Sequence, residues 1–371
     1  AVKSSCRWVP LAWPRKGMVR DYSDLFGAPP APLKKPKIDT LGWQNFFAAQ
    51  VDVNVMAATP PVRVIEVNRS KVHVVGNGID DMIPKMDDVA VGDWVLLNHD
   101  LPANSIVLDR KSLMKRRAAG HSWDMQLIAA NVDTAFIVTS CNDDFNVARL
   151  ERYIALAFEA GIAPVILLTK ADLVENTVEY VTEAEKISKQ VPVVTLNARS
   201  DEPAAKLAPW SAAGQTIAFF GSSGVGKSTL TNALAGTTVS ETQDIRGDDA
   251  KGRHTTTRRQ LYMLESGVLV LDTPGMRELQ LAEAADGIGT LFEDIEALVL
   301  DCKFNNCGHE SEPGCAVQAA IAEGALDVGR LDRWRKLVAE EEFNTASMAE
   351  RKSNDKTFSK TVRKAVKGKR R

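Results

Sequence analysis

The stretch QTIAFFGSSGVGKSTLTNALAG, residues 215–236, decides how the chain is read. Ile217 to Phe220 is an apolar run suited to a buried parallel strand. It leads at once into Gly221-Ser222-Ser223-Gly224-Val225-Gly226-Lys227-Ser228-Thr229, and a helical pattern follows. Strand, glycine-rich loop and helix in that order form a phosphate-binding loop. Its glycines let backbone N–H groups turn inward around phosphate oxygens, and the helix presents its positive end to them. Lys227 reaches the outer phosphates, and the Ser228 hydroxyl can hold a magnesium ion. The bland alternative is a Gly/Ser turn. It would have to place Gly221, Gly226, Lys227 and Ser228 at the required spacing, between the right elements, by chance.

The 371 residues leave room for two or three domains, and 44% hydrophobic with 25% charged residues excludes a disordered or fibrous chain. No apolar run approaches the roughly 20 residues of a membrane span. Residues 1–20 mix Arg and Lys with Trp and Pro, so the expected location is the cytoplasm. A net charge of -2 argues against a uniformly basic nucleic-acid binder. The charge is uneven, however: residues 351–371 are rich in Lys and Arg, with Asp355 alone against them. Such a tail either contacts RNA or is simply solvated.

Working outward from the loop, residues 1–40 are proline-rich and aperiodic, which predicts an extended or disordered lead-in. Leu41-Gly42-Trp43 and Phe46-Phe47 suggest a short helix that docks aromatic rings. Short strands then recur at Val62–Val67, Lys71–Val75, Val89–Val91, Trp94–Leu97 and Ser105–Leu108, with Asn, Gly and Asp turns between them. This pattern fits a small closed barrel of the oligonucleotide/oligosaccharide-binding (OB) type, serving as an RNA-binding module or as a spacer. The basic triplet Lys115-Arg116-Arg117 reads as an RNA or phosphate contact, or as a solvated linker. Beyond it, Thr134–Ser140 and Ala163–Leu168 are buried strands. Between them Leu150, Tyr153, Ile154, Ala157 and Phe158 line one face of a helix over 147–160. Strands alternating with helices predict a parallel sheet covered on both faces.

At the carboxyl end of the second buried strand stands Thr169-Lys170-Ala171-Asp172, where ligands sit in such sheets. A carboxylate there can accept from both N1–H and the 2-amino group of guanine, a donor pair that adenine lacks. The Lys170 stem can lie along the base. Taken alone, Asp172 could equally cap the next helical turn; the phosphate loop favours the base-reading role. A strand over 191–196 leads to Asn197-Ala198-Arg199, a candidate second wall for the base. Downstream of the loop, Gly252-Arg253-His254-Thr255-Thr256-Thr257 is polar, and its threonines can complete a magnesium shell. The strand Val268–Leu271 ends in Asp272-Thr273-Pro274-Gly275, where Asp272 can hold magnesium through water and the Gly275 N–H can sense a γ-phosphate.

Three of the five cysteines, Cys302, Cys307 and Cys315, cluster around His309 in the spacing C-x4-C-x-H-x5-C. In a chain without a secretion signal this points to a tetrahedral zinc site, structural because four protein ligands leave no open position. Buried reduced thiols are the alternative. Helical patterns flank the cluster at 288–299, 316–323 and 328–341.

A guanine-reading tetrapeptide ahead of the phosphate loop, a barrel before both and a Cys/His cluster after them resemble the RsgA/YjeQ family of ribosome small subunit-dependent, circularly permuted GTPases. The resemblance spans about residues 41–341, and its most specific pieces are Ile128-Ala129-Ala130-Asn131-Val132-Asp133, Gly252–Thr257 and the metal cluster. It implies an OB-fold RNA-binding barrel over 41–112, a permuted GTPase domain over 113–280, a helical zinc-binding domain over 281–345 and a basic tail over 346–371. It also implies GTP hydrolysis stimulated by the small ribosomal subunit late in that subunit's maturation. Expected partners are GTP and GDP, the small subunit and its rRNA, with the chain acting as a monomer away from membranes. The resemblance assigns catalysis to His254 with Lys227 and Thr257, and magnesium to Ser228, Thr257 (or Thr256) and Asp272. The sequence departs from the family at Thr169, where many members carry Asn, and at Asn197, where Ser is frequent. Met276 stands where many GTPases place a water-orienting Gln, and a thioether cannot orient water. Slow intrinsic hydrolysis is therefore expected. Met276 also keeps open a second reading, a nucleotide-gated RNA-binding scaffold in which hydrolysis is incidental.

Overall fold

The runs read as buried strands do pair in parallel, and they pair with the barrel as well. The computed structural model describes residues 37–117, 125–236, 260–272, 281 and 283–346. His254, Thr256, Thr257, Gly275 and Met276, the lead-in up to residue 36 and the tail beyond 346 lie outside the described residues.

Strands β1 (Pro61–Val67), β2 (Lys71–Gly76), β3 (Ile79–Pro84), β4 (Trp94–Leu96) and β5 (Ile106–Val107) form the barrel portion, in ladder order β3-β2-β1-β4-β5. A 3-10 turn at Pro102–Asn104, just before β5, packs against β3 and so brings the two ends of the ladder together. Two details differ from the sequence reading. Ile79–Pro84 is a strand that the alternation does not announce, because β3 is an edge strand whose Asp80, Asp81 and Met82 face solvent. Its true signal is the Asn77-Gly78 turn, with Gly78 at φ 80°, which joins Gly76 to Ile79 in a two-residue hairpin. Conversely, Val89–Val91 is buried but forms only a single bridge, Val91 to Ala129. Asp88 turns the backbone left-handed there, and the Asp93 carboxylate accepts from Ala90 N at 2.7 Å.

Short helices α1 (Asn45–Ala48) and α2 (Val53–Ala58) precede the barrel. Trp43 and Phe47 pack their rings on Trp94, as the aromatic docking reading expects. Lys115-Arg116-Arg117 is neither loop nor linker, since β6 (Leu113–Arg117) pairs antiparallel with β7 (Met125–Ala130).

The nucleotide-binding part then follows as β8 (Thr134–Ser140), α3 (Val147–Glu159), β9 (Ala163–Thr169), α4 (Val178–Glu185), β10 (Val193–Thr195), α5 (Glu202–Leu207), β11 (Thr216–Phe220), α6 (Lys227–Ala235), β12 (Gln260–Met263) and β13 (Leu269–Asp272). Strands β10-β9-β8-β11-β13 run parallel, and β12 and then β1 extend the same sheet antiparallel. All residues of β8 and β11 are buried, which is why they read as unbroken apolar runs. Helix α3 starts where the Asn146 side chain accepts from Arg149 N at 2.9 Å, and it buries Leu150, Tyr153, Ile154 and Ala157 on one face.

The carboxyl-terminal part holds α7 (Ala285–Leu291), α8 (Glu293–Leu300), α9 (Ala316–Ala322) and α10 (Val328–Thr345). The single helix expected over 288–299 is two, broken at Phe292, whose ring is fully buried under the Arg330 guanidinium at 4.7 Å. Packing of that ring outweighs helix continuity.

Two buried charged groups tie these parts together. Arg63 on β1 is 1% exposed and donates to Leu41 O (2.7 Å), Asn131 O (3.0 Å) and Thr216 Oγ1 (3.1 Å), with Trp94 5.4 Å from its guanidinium. Burial draws its pKa down to about 10, against the opposing pull of Asp133 and Asp93. Glu151 on α3 is fully buried and accepts from Arg333 Nε on α10 at 2.8 and 2.9 Å, with Arg330 3.8 Å away. Arg330 in turn makes two 2.8 Å bonds to Asp294 on α8.

Candidate functional site

The phosphate loop leaves the carboxyl end of β11, between β8 and β13, where an open parallel sheet presents its ligand crevice. Gly221 has φ 133°, and a Cβ there would lie 2.2 Å from Val138 O on β8, so only glycine lets the loop start this close to the sheet. Gly226 has φ 101° and opens α6. The Lys227 ammonium lies inside the loop, donating to Gly221 O at 2.8 Å and to Ser222 O. Val225 is buried, Thr229 half-buried, and Ser223, Gly224 and Ser228 are exposed along the rim.

The structure brings the second motif to this loop. Thr169 ends β9 fully buried, its hydroxyl 2.6 Å from Val225 O and 3.1 Å from Thr139 O. A Cβ built on Gly226 would lie 3.9 Å from Thr169 Oγ1 and 3.8 Å from Ala198 Cβ, so the ends of β9 and β10 meet at the loop. Lys170 takes a left-handed turn, φ 58° and ψ 30°, that swings the chain outward into the 3-10 turn Ala171–Leu173. Asp172 is exposed in the first turn of that segment, but the cap position is Lys170 and carries no side-chain cap bond. Among the described residues no hydrogen bond or ion pair engages the Asp172 carboxylate, so the capping alternative has no support here. Asn197 is turned to its own loop: its Oδ1 accepts from Arg199 N at 2.9 Å and its carbonyl from Ser200 Oγ at 3.0 Å. Asp272 closes β13, with its backbone opposite Gln260.

The Cys/His cluster is a separate centre. The ligand atoms of Cys302, Cys307, His309 and Cys315 all lie within 4.8 Å of one another. Cys302 and Cys315 sulfurs are 3.9 Å apart, and His309 Nδ1 is 3.5 and 3.6 Å from them. Tetrahedral bonds of zinc length would require about 3.8 Å between sulfurs and about 3.6 Å from sulfur to nitrogen, so the donor set fits a four-coordinate metal with Nδ1 as the imidazole ligand. His309 stands at φ 57°, and its carbonyl is held by Arg335 Nη2 at 2.7 Å and Gln318 Nε2 at 2.5 Å. Sequence reading passes over Glu312. Its carboxylate gathers the N–H groups of Gly308 (2.8 Å), Glu310 (2.9 Å) and Ser311 (3.1 Å). Those backbone bonds, with that of its own amide the largest, pull its pKa down to about 2. A carboxylate flanked by Ser311 and Pro313 inside a ligand loop is a turn signal that spacing rules for Cys and His do not weigh.

Fold and site together define a phosphate-loop nucleotide-binding protein in which the strand ending in Thr169-Lys170-Ala171-Asp172 precedes the loop. The RsgA GTPase family model matches residues 107–282. An ABC transporter model matches residues 211–366, a span that begins just before the strand feeding the phosphate loop. A Vibrio parahaemolyticus protein named small ribosomal subunit biogenesis GTPase RsgA 2 is 45% identical over 348 residues, 91% of this chain and 94% of its own. A Mesorhizobium japonicum protein of the same biogenesis GTPase name is 50% identical over 321 residues, 84% and 91% of the two chains. YjeQ from Thermotoga maritima matches in structure with TM-score 0.56 at 25% identity, covering 76% of this chain and 97% of that one. YloQ, described as a circularly permuted GTPase, matches with TM-score 0.55 at 25% identity over 78% and 97%. The chain belongs to the RsgA GTPase family.

Proposed function

We propose that this chain hydrolyses GTP in the biogenesis of the small ribosomal subunit, and that the subunit stimulates the reaction. The observation that carries the guanine reading is the division of labour in one tetrapeptide: Thr169 is buried against the phosphate loop, while Asp172 at its rim has a carboxylate without a partner among the described residues. Asp172 would read the base, with Lys170 and Ala171 beside it and Asn197 and Ala198 as the opposite wall. Residues 221–229 would hold the phosphates, and the Gly275 N–H would sense the third. Magnesium, held by Ser228, Thr257 and Asp272, supplies charge neutralisation at the phosphates when bound. Lys227 exchanges its loop carbonyls for phosphate oxygens, adding positive charge where the reaction develops negative charge. His254 orients the attacking water in the role that Met276 cannot fill.

The three working parts are the barrel over 41–112 as the rRNA contact, the GTPase part over 113–280 and the helical part over 281–345, in which Cys302, Cys307, His309 and Cys315 hold zinc structurally. The protein acts as a monomer in the cytoplasm. Among the described residues no helix is long and apolar enough to cross a membrane. The test is Asp172→Asn. The amide keeps an acceptor for N1–H but turns a donor toward position 2, where guanine has an amine and xanthine an oxygen. Preference should move from GDP to XDP; unchanged GDP preference would refute base reading by Asp172.

A further inference from the structure

Ile128-Ala129-Ala130-Asn131-Val132-Asp133 belongs neither to the phosphate loop, nor to Thr169–Asp172, nor to the metal cluster. It closes β7, turns left-handed at Asn131 (φ 56°) and enters β8. Its bonds run to the barrel on one side and to the nucleotide-binding sheet on the other. The Asn131 side chain is buried; its Nδ2 donates to Gly92 O of the barrel at 3.0 Å, and its Oδ1 accepts from Lys111 N at 2.9 Å. One backbone acceptor and one backbone donor fix which way the amide faces. The Asn131 carbonyl accepts from Arg63 Nη2 at 3.0 Å, and the same nitrogen donates to Thr216 Oγ1 at 3.1 Å. Thr216 opens β11, and its N–H donates to Asp133 Oδ2 at 2.8 Å. An unbroken run of buried bonds therefore joins Gly92 of the barrel, Asn131, Arg63 and Thr216. We propose that Asn131 is a positioning residue for hydrolysis: with Arg63 it fixes the barrel on the strand that feeds the phosphate loop, so that docking of the barrel on the small subunit reaches the nucleotide site through a rigid connection.

Close backbone packing leaves this junction no room to slide. Gly92 has φ 92°, and a Cβ there would lie 2.1 Å from Ala130 O, while Ala130 N donates to Val91 O at 2.8 Å. On the other side of Arg63, Gly42 has φ 85°, and its Cβ would lie 2.5 Å from Gly214 O, two residues before Thr216. Arg63 itself is 1% exposed, so its bonds are not exchanged for water. A barrel on a loose tether would bind the subunit with the nucleotide site in many orientations. A fixed barrel delivers the site in one, and the ordering cost is met when the chain folds and not when it docks. The role of Asn131 rests on the stimulated hydrolysis proposed above. The five residues of β11 put Thr216 about 16 Å from Gly221, so the junction controls how the site is presented and not how the nucleotide is held.

Two substitutions loosen the junction in different ways. Asn131→Asp keeps the acceptor for Lys111 N and suits the left-handed backbone, but it sets a carboxylate oxygen against Gly92 O. Asn131→Gly deletes the side chain and also suits that backbone. The full-length parent and both variants are compared for GDP affinity, cosedimentation with small subunits, and GTP turnover alone and at saturating subunits. GDP affinity, cosedimentation and unstimulated turnover should stay at parental levels. Stimulated kcat should fall about tenfold or more in Asn131→Asp, a split that a loss of stability alone does not produce. Asn131→Gly should fall in the same direction. In amide exchange, the Ala130 and Asn131 amides should lose protection in both variants while those of β11 keep it. Parental stimulation in both variants would reduce Asn131 to a packing role. An equal fall in stimulated and unstimulated turnover, or loss of cosedimentation, would also overturn the proposal, in favour of damage to the nucleotide site or a direct part in subunit binding. A parent chain that small subunits do not stimulate would sink the proposed function, and the positioning role with it.

Discussion

Removing Arg333 should cost more than removing the charge it neutralises. Glu151 is fully buried on α3, whereas the Arg333 side chain is 28% exposed. In Arg333→Ala the carboxylate keeps Arg330 at 3.8 Å, but that guanidinium is already committed to two 2.8 Å bonds with Asp294. A buried charge deprived of its close partner typically costs 3–5 kcal/mol, and the residual pull of Arg330 places this loss near the lower end, about 3 kcal/mol. Glu151→Gln leaves an oxygen that still accepts from Arg333, and Arg333 can rehydrate, so about 1 kcal/mol is expected. The two variants also differ in pH dependence. Burial raises the Glu151 pKa above the ordinary carboxylate value, opposed chiefly by the Arg333 hydrogen bond. A raised folded-state pKa gives stability that is present below the unfolded value and lost as pH rises through the folded one. Arg333→Ala removes the opposing bond and raises that pKa further. Its deficit should therefore be largest at neutral and alkaline pH and shrink as pH falls and the carboxyl becomes protonated. Glu151→Gln should show no such trend. Urea unfolding of the full-length proteins between about pH 5 and 8 measures this. Equal losses in the two variants, or an Arg333→Ala deficit independent of pH, would refute the reasoning.

Other perturbations act at the nucleotide and metal sites. Gly221→Ala puts a methyl 2.2 Å from Val138 O, so nucleotide binding should fall at least tenfold in a protein that still folds; filter binding with GDP checks this. Chelating the metal should open the 302–315 loop and fray α9 while α10 stays anchored through Glu151 and the Arg152–Glu340 pair at 2.6 Å. Amide exchange resolves the two regions, and full protection of the loop after chelation would contradict a structural metal. His254→Ala should abolish stimulated turnover and leave GDP affinity unchanged; stimulated turnover at the parental rate would remove His254 from the mechanism.

The parts legible in the sequence were those where chemistry fixes both residue type and spacing. Gly221, Gly226, Lys227 and Ser228 stand out because a phosphate cradle tolerates few substitutes, and Cys302, Cys307, His309 and Cys315, which the structure gathers within 4.8 Å, because spacing and donor type coincide. The α3 face emerged because Leu150, Tyr153, Ile154 and Ala157 pack at helical intervals. What escaped was set by contacts between distant segments. Arg63 looks like an ordinary polar position in an alternating strand, but Leu41, Asn131 and Thr216 enclose it from three other parts of the chain. Glu151 sits beside Arg152 on α3 as a solvated residue would, until α10, more than 180 residues on, supplies Arg333. Edge strand β3 carries its charges outward, so its pairing partner rather than its own alternation makes it a strand. Thr169 has its hydroxyl turned onto Val225 O of the phosphate loop, a direction that the tetrapeptide alone does not give.

Control of guanine-nucleotide turnover by the small ribosomal subunit can be measured directly. GTP hydrolysis by the purified chain should be measured alone, with small subunits and with large subunits, with ATP as the competing nucleotide. Turnover should be slow alone, rise markedly with small subunits only, and show no inhibition by equimolar ATP. Turnover that small subunits leave unchanged, or that ATP suppresses more effectively than unlabelled GTP, would contradict it.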